Sequence, residues 1–385
     1  MSGEIYLDYA ASTPVDPEVC AAMAECLREL PGNPSASHAA GRTARARVES
    51  ARAEVAALVN GAPAEILWTS CATESNNLAI LGAARYLKSR GRHLVTAMTE
   101  HASVIECFRQ LEREGFSVTR MKPDALGLVE PAALEAALRP DTTLVSLMHV
   151  NNEIGVVQDI AAYGAICRKH GALLHVDAAQ SLGREAIDVR AMQLDLLSLS
   201  AHKTGGPKGI GALFVDRARV PRIEPLLCGG GQERGLRPGT LPTHQVVGMG
   251  VAASLARARL PVDPPRVRVL RDRLWEQIRA LPGVLLNGHP TRRACHILNV
   301  SVAGVEGESL LFALAGLAVS SGSACASDAA EPSAVLRSLG RDDQLAQSSV
   351  RFSLGRQTTA DEIERAATIF RAAVADLRAI SPAVA

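Results

Sequence analysis

Between about residues 65 and 215, six short apolar runs, EILWTS, HLVTAM, TLVSLMHV, ALLHVDAA, LDLLSLSA and GALFV, alternate with longer helical patterns. Strands apolar along their whole length are covered on both faces, and parallel strands need crossovers long enough to hold a helix. The rhythm predicts a large, mostly parallel sheet with helices packed on it. Two of the helices read as Glu74 to Lys88 and Ala161 to His170, with Gly91 and Gly171 at their C-caps. A proline-rich passage, LPVDPPRVR at 260–268, follows one helical run and precedes another, Val269 to Leu281. We place a change of domain near residue 256, because strand-like HILNVSV and VRFSLG and a final helix from about Thr359 suit a smaller α+β unit. A chain of 385 residues is long enough for both.

Several classes of function are disfavoured by composition. With 41 basic against 40 acidic residues and 3% aromatics, the chain has neither a global field for phosphate backbones nor many platforms for stacked bases. The expectation is no direct nucleic-acid partner. The opening MSGEIYLDYA lacks a basic segment followed by an apolar one, and no long uncharged run occurs later. A soluble, cytoplasmic protein without a membrane partner is expected. Eight cysteines are scattered without a CxxC pair or metal-ligand spacing, so reduced thiols are expected rather than a disulfide framework, and no intrinsic metal.

Open α/β sheets bind ligands past the carboxyl ends of their strands. There this chain carries CATESNN, TEH, NNEIG, AAQS and AHK. Lys203 follows an apolar run, where a partly desolvated amine has a lowered pKa suited to imine chemistry; taken alone it reads as an exposed loop lysine, and its neighbours overturn that reading. Asp177 ends another run, and a buried carboxylate needs a cation such as a protonated pyridine nitrogen, or else serves as a helix N-cap. Paired with a Schiff-base lysine, such an aspartate is the recurring arrangement around pyridoxal phosphate. Thr73 and Glu74 open a helix whose free N–H groups could face a phosphate, with Ser200 and His202 adding donors. Cys325, in SSGSACASD, is either a reactive thiol in a loop of tiny residues or a small hydrophobe in a tight turn. The glycine-rich GGGQERGLRPGT at 229–240 could approach a ligand closely but is nonspecific.

Taken together, LDYAAST, PGNPSASH, CATESNN, TEH, HVNNEIGVVQDI, HVDAAQS, SAHK, GGGQERGLRPGT, EGESL, SSGSACAS and VRFSLGR resemble the group I cysteine desulfurases, from about Ile5 to Pro382. The resemblance implies an aspartate-aminotransferase-like, fold type I homodimer, with a large domain over 14–256 and a small one from 1–13 and 257–385. It makes Lys203 the pyridoxal-phosphate lysine, Asp177 the pyridinium partner and His101 the ring-stacking residue that helps move protons. Ala72, Thr73, Ser200 and His202 would hold the phosphate, with Thr240 from the other subunit. Asn152 and Gln180 would contact the ring hydroxyl side, Asn152 also meeting substrate, and Arg351 would grip the carboxylate of L-cysteine. Cys325 would take the sulfur as a persulfide, leaving alanine, and would serve as a transient cluster ligand shared with a scaffold partner.

The resemblance further implies delivery of sulfur to an iron–sulfur scaffold protein and other acceptors, including those of tRNA thiolation. CATES is closer to nitrogen-fixation members, which makes nitrogenase cluster assembly the second pathway. A selenocysteine lyase or another fold type I enzyme would share Lys203 and Asp177 but would not need the loop thiol. A docking subunit without activity would need none of Lys203, His101, Asp177 and Cys325 together. The sequence departs from the housekeeping pattern at Cys71, Ala201, Thr204 to Gly206 and Gln232. Its ending, SPAVA, is shorter than the tail with which housekeeping members dock their scaffold. Arg217, Arg219 and Arg222 lie where the resemblance implies a basic docking surface for acidic partners, but the plainer reading for them, as for Arg42, Arg45, Arg47 and Arg52, is a solvated face.

Overall fold

The computed structural model describes residues 3–220, 222–321 and 332–380. Seven strands form the main sheet, in the spatial order Ile66–Thr69, Gly211–Val215, Leu196–Ser200, Leu173–Asp177, Thr142–Met148, His93–Ala97 and Ser117–Met121. Gly211–Val215 runs antiparallel to both of its neighbours, and the remaining pairings are parallel. All six apolar runs of the sequence are strands. The seventh, Ser117–Met121, escapes a hydrophobicity reading because only Met121 of its five residues is buried. It lies at the sheet edge, where a strand needs to be covered less.

The two-residue period of the strands sorts their apolar side chains onto two faces. Leu94, Leu144, Leu173, Leu196 and Leu213 join the core under the helices Ala72–Leu87 and Ala102–Arg113. Val95, Val145, Leu174, Leu197 and Phe214 point the other way, into the core shared with the helices Ala39–Leu58, Ile160–His170 and Thr243–Arg259. Apart from the antiparallel Gly211–Val215, the strands all end at one edge of the sheet, and that edge carries the polar clusters.

Helix boundaries follow local chemistry. Asp159 caps Ile160–His170 by accepting from Ala162 N, and Gly171 ends it at φ 74°, a left-handed conformation that disfavours a side chain. Gly91 is not a C-cap: its helix ends at Leu87 with Lys88 as the cap. The helix expected from Val269 begins earlier, at Asp263, because Pro264 and Pro265 occupy its first turn, where no N–H is needed, and it ends at Ile278.

A second sheet of four antiparallel strands runs Ser320–Ser321, Ser349–Ser353, Ile297–Val302 and Val284–Asn287. Helices Asp263–Ile278 and Ala360–Ile380 bury their apolar faces against it, and Ile5 and Leu7 from the N-terminal segment join the same core. Ala10, Val150, Ala294 and Ile297 form a small buried cluster where the main sheet's carboxyl edge meets this second unit. No helix among the described residues is long and apolar enough to cross a membrane.

Candidate active site

A cavity of about 250 Å³ opens at the carboxyl edge of the main sheet. Asp177 and Ser200 reach it as the last residues of their strands, and His202 and Lys203 follow Ser200 by a turn. His101 and Asn152 come from the segments after two further strands, and Ala72 and Thr73 from the start of the helix after Ile66–Thr69. Gln180 lies three residues beyond Asp177, and Arg351 enters from the second sheet. Residues scattered over 280 positions thus share one cavity.

At one end stands Asp177, 5% exposed. Its Oδ1 accepts from Ala179 N at 2.9 Å and its Oδ2 from Asn76 Nδ2 at 2.8 Å. Donors on both oxygens fix the carboxylate rotationally, which suits a carboxylate facing a ring N–H⁺. Beside it, His101 caps the Ala102–Arg113 helix: its Nδ1 accepts from Ser103 N at 3.1 Å and lies 2.8 Å from Ser103 Oγ. A ring nitrogen that accepts carries no proton, so neutral His101 holds its one proton on Nε2. Burial pushes its pKa below the ordinary histidine value, with Lys203 acting in the same direction and Asp177 against.

At the other end the helix Ala72–Leu87 begins without a side-chain cap. Its first-turn N–H groups and its dipole therefore face the cavity, a ready anion site. Ser200 Oγ, buried beside it, has no hydrogen-bond partner. His202 is pushed down to about 4 by burial, then by Lys203, Lys208 and Arg184, so it offers a neutral N–H rather than a charge. An uncapped helix start, an orphaned hydroxyl and, across the cavity, a fixed carboxylate match a phosphate at one end and a pyridine nitrogen at the other. The donor set fits pyridoxal phosphate.

Arg351 is 2% exposed, and its guanidinium is already engaged: Nη2 pairs with Asp8 at 2.8 Å and Nη1 donates to Asn152 O at 2.9 Å, while Nε has no partner. A substrate carboxylate reaching it must share it with Asp8. Thr240 is exposed and does not line the cavity of its own chain. Cys325 lies outside the described residues.

Two further readings of arginines change. Arg52 is not solvated but 6% exposed, fork-bonded to Glu233 at 2.8 Å and stacked over Trp68. This buried pair holds the glycine-rich loop where Glu233 and Arg234 adopt positive φ of 45° and 61°, a conformation that persists in such residues only when surroundings enforce it. Arg219 is tied to Asp195 at 3.3 Å.

Sequence reasoning missed Asn76, which bridges Asp177 and Ser103 from one turn inside the helix. An asparagine within the otherwise apolar stripe of a helix is the signal that could have found it. Asp8 and His296 gave no local signal, since each acts on a residue far away in sequence.

The sequence profile of the class-V aminotransferase family matches residues 5–366. The chain is 55% identical to the cysteine desulfurase IscS of Methylococcus capsulatus, over 98% of this chain and 94% of that one. It is 56% identical to the cysteine desulfurase IscS of Pseudomonas aeruginosa with the same coverage. Among solved structures, a NifS-like protein superposes with a TM-score of 0.90 at 33% identity, over 97% of this chain and all of the other. A structure described as SspA in complex with cysteine does so with a TM-score of 0.82 at 37% identity, covering 92% and 99%.

Proposed function

We infer how the site works from one premise: the chain belongs to the class-V aminotransferase family and, within it, is a pyridoxal-phosphate-dependent cysteine desulfurase acting on L-cysteine. When bound, pyridoxal phosphate supplies an electron sink for the pair released at the substrate α-carbon. Our assignment of residues to that chemistry rests on the convergence of Asp177, His101, Lys203, Ser200 and Arg351 on one cavity.

In this reading Lys203 carries the cofactor, and Asp177, held by Asn76 and Ala179 N, keeps the ring nitrogen protonated. Ala72, Thr73, Ser200 and His202 grip the phosphate through neutral donors and the helix dipole. Arg351 orients the carboxylate of L-cysteine, and Asn152, whose carbonyl it holds, borders the same place. The Lys203 amine takes the α-proton. His101, with its proton on Nε2 and its plane fixed by Ser103, covers the ring and serves as a proton donor. The Cys325 thiolate attacks the substrate sulfur, the carbon–sulfur bond breaks, and the products are alanine and a Cys325 persulfide. Atoms and electrons balance without an added oxidant.

The subunit arrangement we propose is a homodimer in which Thr240 completes the phosphate cradle of the other subunit, supported by its exposure outside its own chain's cavity. The division into a large domain over 14–256 and a small one from both ends is likewise proposed; Ile5 and Leu7 lie in one core with residues 267–374, which supports it. The persulfide would hand its sulfur to an iron–sulfur scaffold protein and other acceptors in the cytoplasm. All seven described cysteines are free thiols, which suits a reducing compartment.

Alanine and sulfide released from L-cysteine in the presence of a reducing thiol test the assignment. Native protein should release both in equal amounts and Cys325→Ser should lose turnover. Unchanged turnover in Cys325→Ser would remove that thiol from the reaction and leave an activity of another kind.

A further inference from the structure

We propose that His296 is a positioning residue that, together with Ala10 O and Arg184, holds the Gln180 amide in the orientation it shows the cofactor cavity. The inference rests on the assignment of that cavity to pyridoxal phosphate.

Gln180 is 3% exposed and lines the cavity, whereas His296, 1% exposed, stands behind it on the strand-to-loop approach to the second sheet. The Gln180 Nε2 donates to Ala10 O at 2.8 Å. A carbonyl oxygen only accepts, so the atom facing Ala10 must be the amide nitrogen. The Gln180 Oε1 therefore faces the other way, toward His296 Nε2 at 3.3 Å and Arg184 Nη1 at 3.4 Å. An amide oxygen cannot donate, so His296 must carry its ring proton on Nε2.

The surroundings of His296 leave it only that proton. Burial, then Arg184, Arg271, Arg351 and Lys203, all act to keep the imidazole neutral, and its Nδ1 is buried with no partner. A neutral ring with the proton on Nε2 accounts for both facts. Arg184 sets the same orientation from a second side, and it also donates to Gln180 O and Tyr9 O.

The consequence falls in the cavity. Of the two Gln180 amide hydrogens one goes to Ala10, and the second is left to the cavity, so Gln180 presents a donor there. A donor opposite the phenolic oxygen of pyridoxal phosphate stabilises its anion and lowers the pH at which the bound cofactor's visible absorption titrates. Without His296 the amide oxygen keeps only the longer contact from Arg184, and the hold on the amide that His296 shares with Ala10 is loosened, which weakens the donor presented to the cavity.

The test is that spectroscopic titration on the holoenzyme. In His296→Leu the midpoint should move upward by about half a pH unit or more, roughly the effect of one hydrogen bond. His296→Gln, which keeps an N–H donor, should return it close to the native value. In a Gln180→Leu background His296→Leu should add nothing further, as two residues acting through one contact require. Should the leucine variant not fold, His296→Met fills the same space without a donor and answers the same question. A folded His296→Leu that titrates like the native protein, or a shift that persists without Gln180, overturns the inference. Native protein that takes up no pyridoxal phosphate overturns the inference together with the assignment beneath it.

Discussion

His175 is buried inside the main sheet, with Ser146 Oγ 2.8 Å from Nδ1 and Ser198 Oγ 2.9 Å from Nε2. Burial pushes it down to about 4, and the nearby Asp177 offsets only part of this. Since the folded value lies below the ordinary unfolded one of about 6.5, the unfolded chain binds a proton that the native chain refuses. Stability from this residue is complete above that unfolded value and is lost as the pH falls toward 4. At pH 5 the loss amounts to about 2 kcal/mol. Urea midpoints of native protein and His175→Gln, compared between pH 7.5 and 5, should therefore converge as the pH falls, the native protein losing more. Parallel pH dependences would contradict the neutral, buried state of this histidine. At this same scale, what the sequence revealed depended on distance along the chain. Lys203 and Asp177 stand out beside their own apolar strands. The partners of Arg351 and Gln180 lie 343 and 116 residues away, where no local pattern reaches.

The start of the Ala72–Leu87 helix is held against the neighbouring strand by an absent side chain. A Cβ on Gly211 would lie 2.7 Å from both the carbonyl carbon of Cys71 and the oxygen of Leu199. Both are backbone atoms of paired elements, so neither can yield without moving the helix start or the strand. Gly211→Ala should weaken pyridoxal phosphate binding about tenfold or more while leaving the affinity for pyridoxal, which lacks the phosphate, nearly unchanged, a difference of about 1.4 kcal/mol or more. Equal loss of both ligands in a binding titration would place the damage elsewhere. The strands themselves were legible because burial on both faces writes a continuous apolar run. The antiparallel direction of Gly211–Val215 was not, since a two-residue period is the same in either direction.

Over the whole molecule, net charge is +1 and contributes no long-range selection of partners, so recognition rests on the cavity and on individual side chains. Two buried units share that cavity: the main sheet supplies the anion cradle and the fixed carboxylate, and the second sheet supplies Arg351. Their meeting depends on pairings between residues 152 and 351, and between 10 and 180, which only the folded chain brings together. We propose that Lys203, among the residues lining this cavity, carries the cofactor. The chain has five lysines, at 88, 122, 169, 203 and 208, so the claim can be read directly. Borohydride reduction of the holoenzyme, followed by peptide mass mapping, should leave the pyridoxyl mass on Lys203 alone. The label on another lysine, or on none, would contradict it.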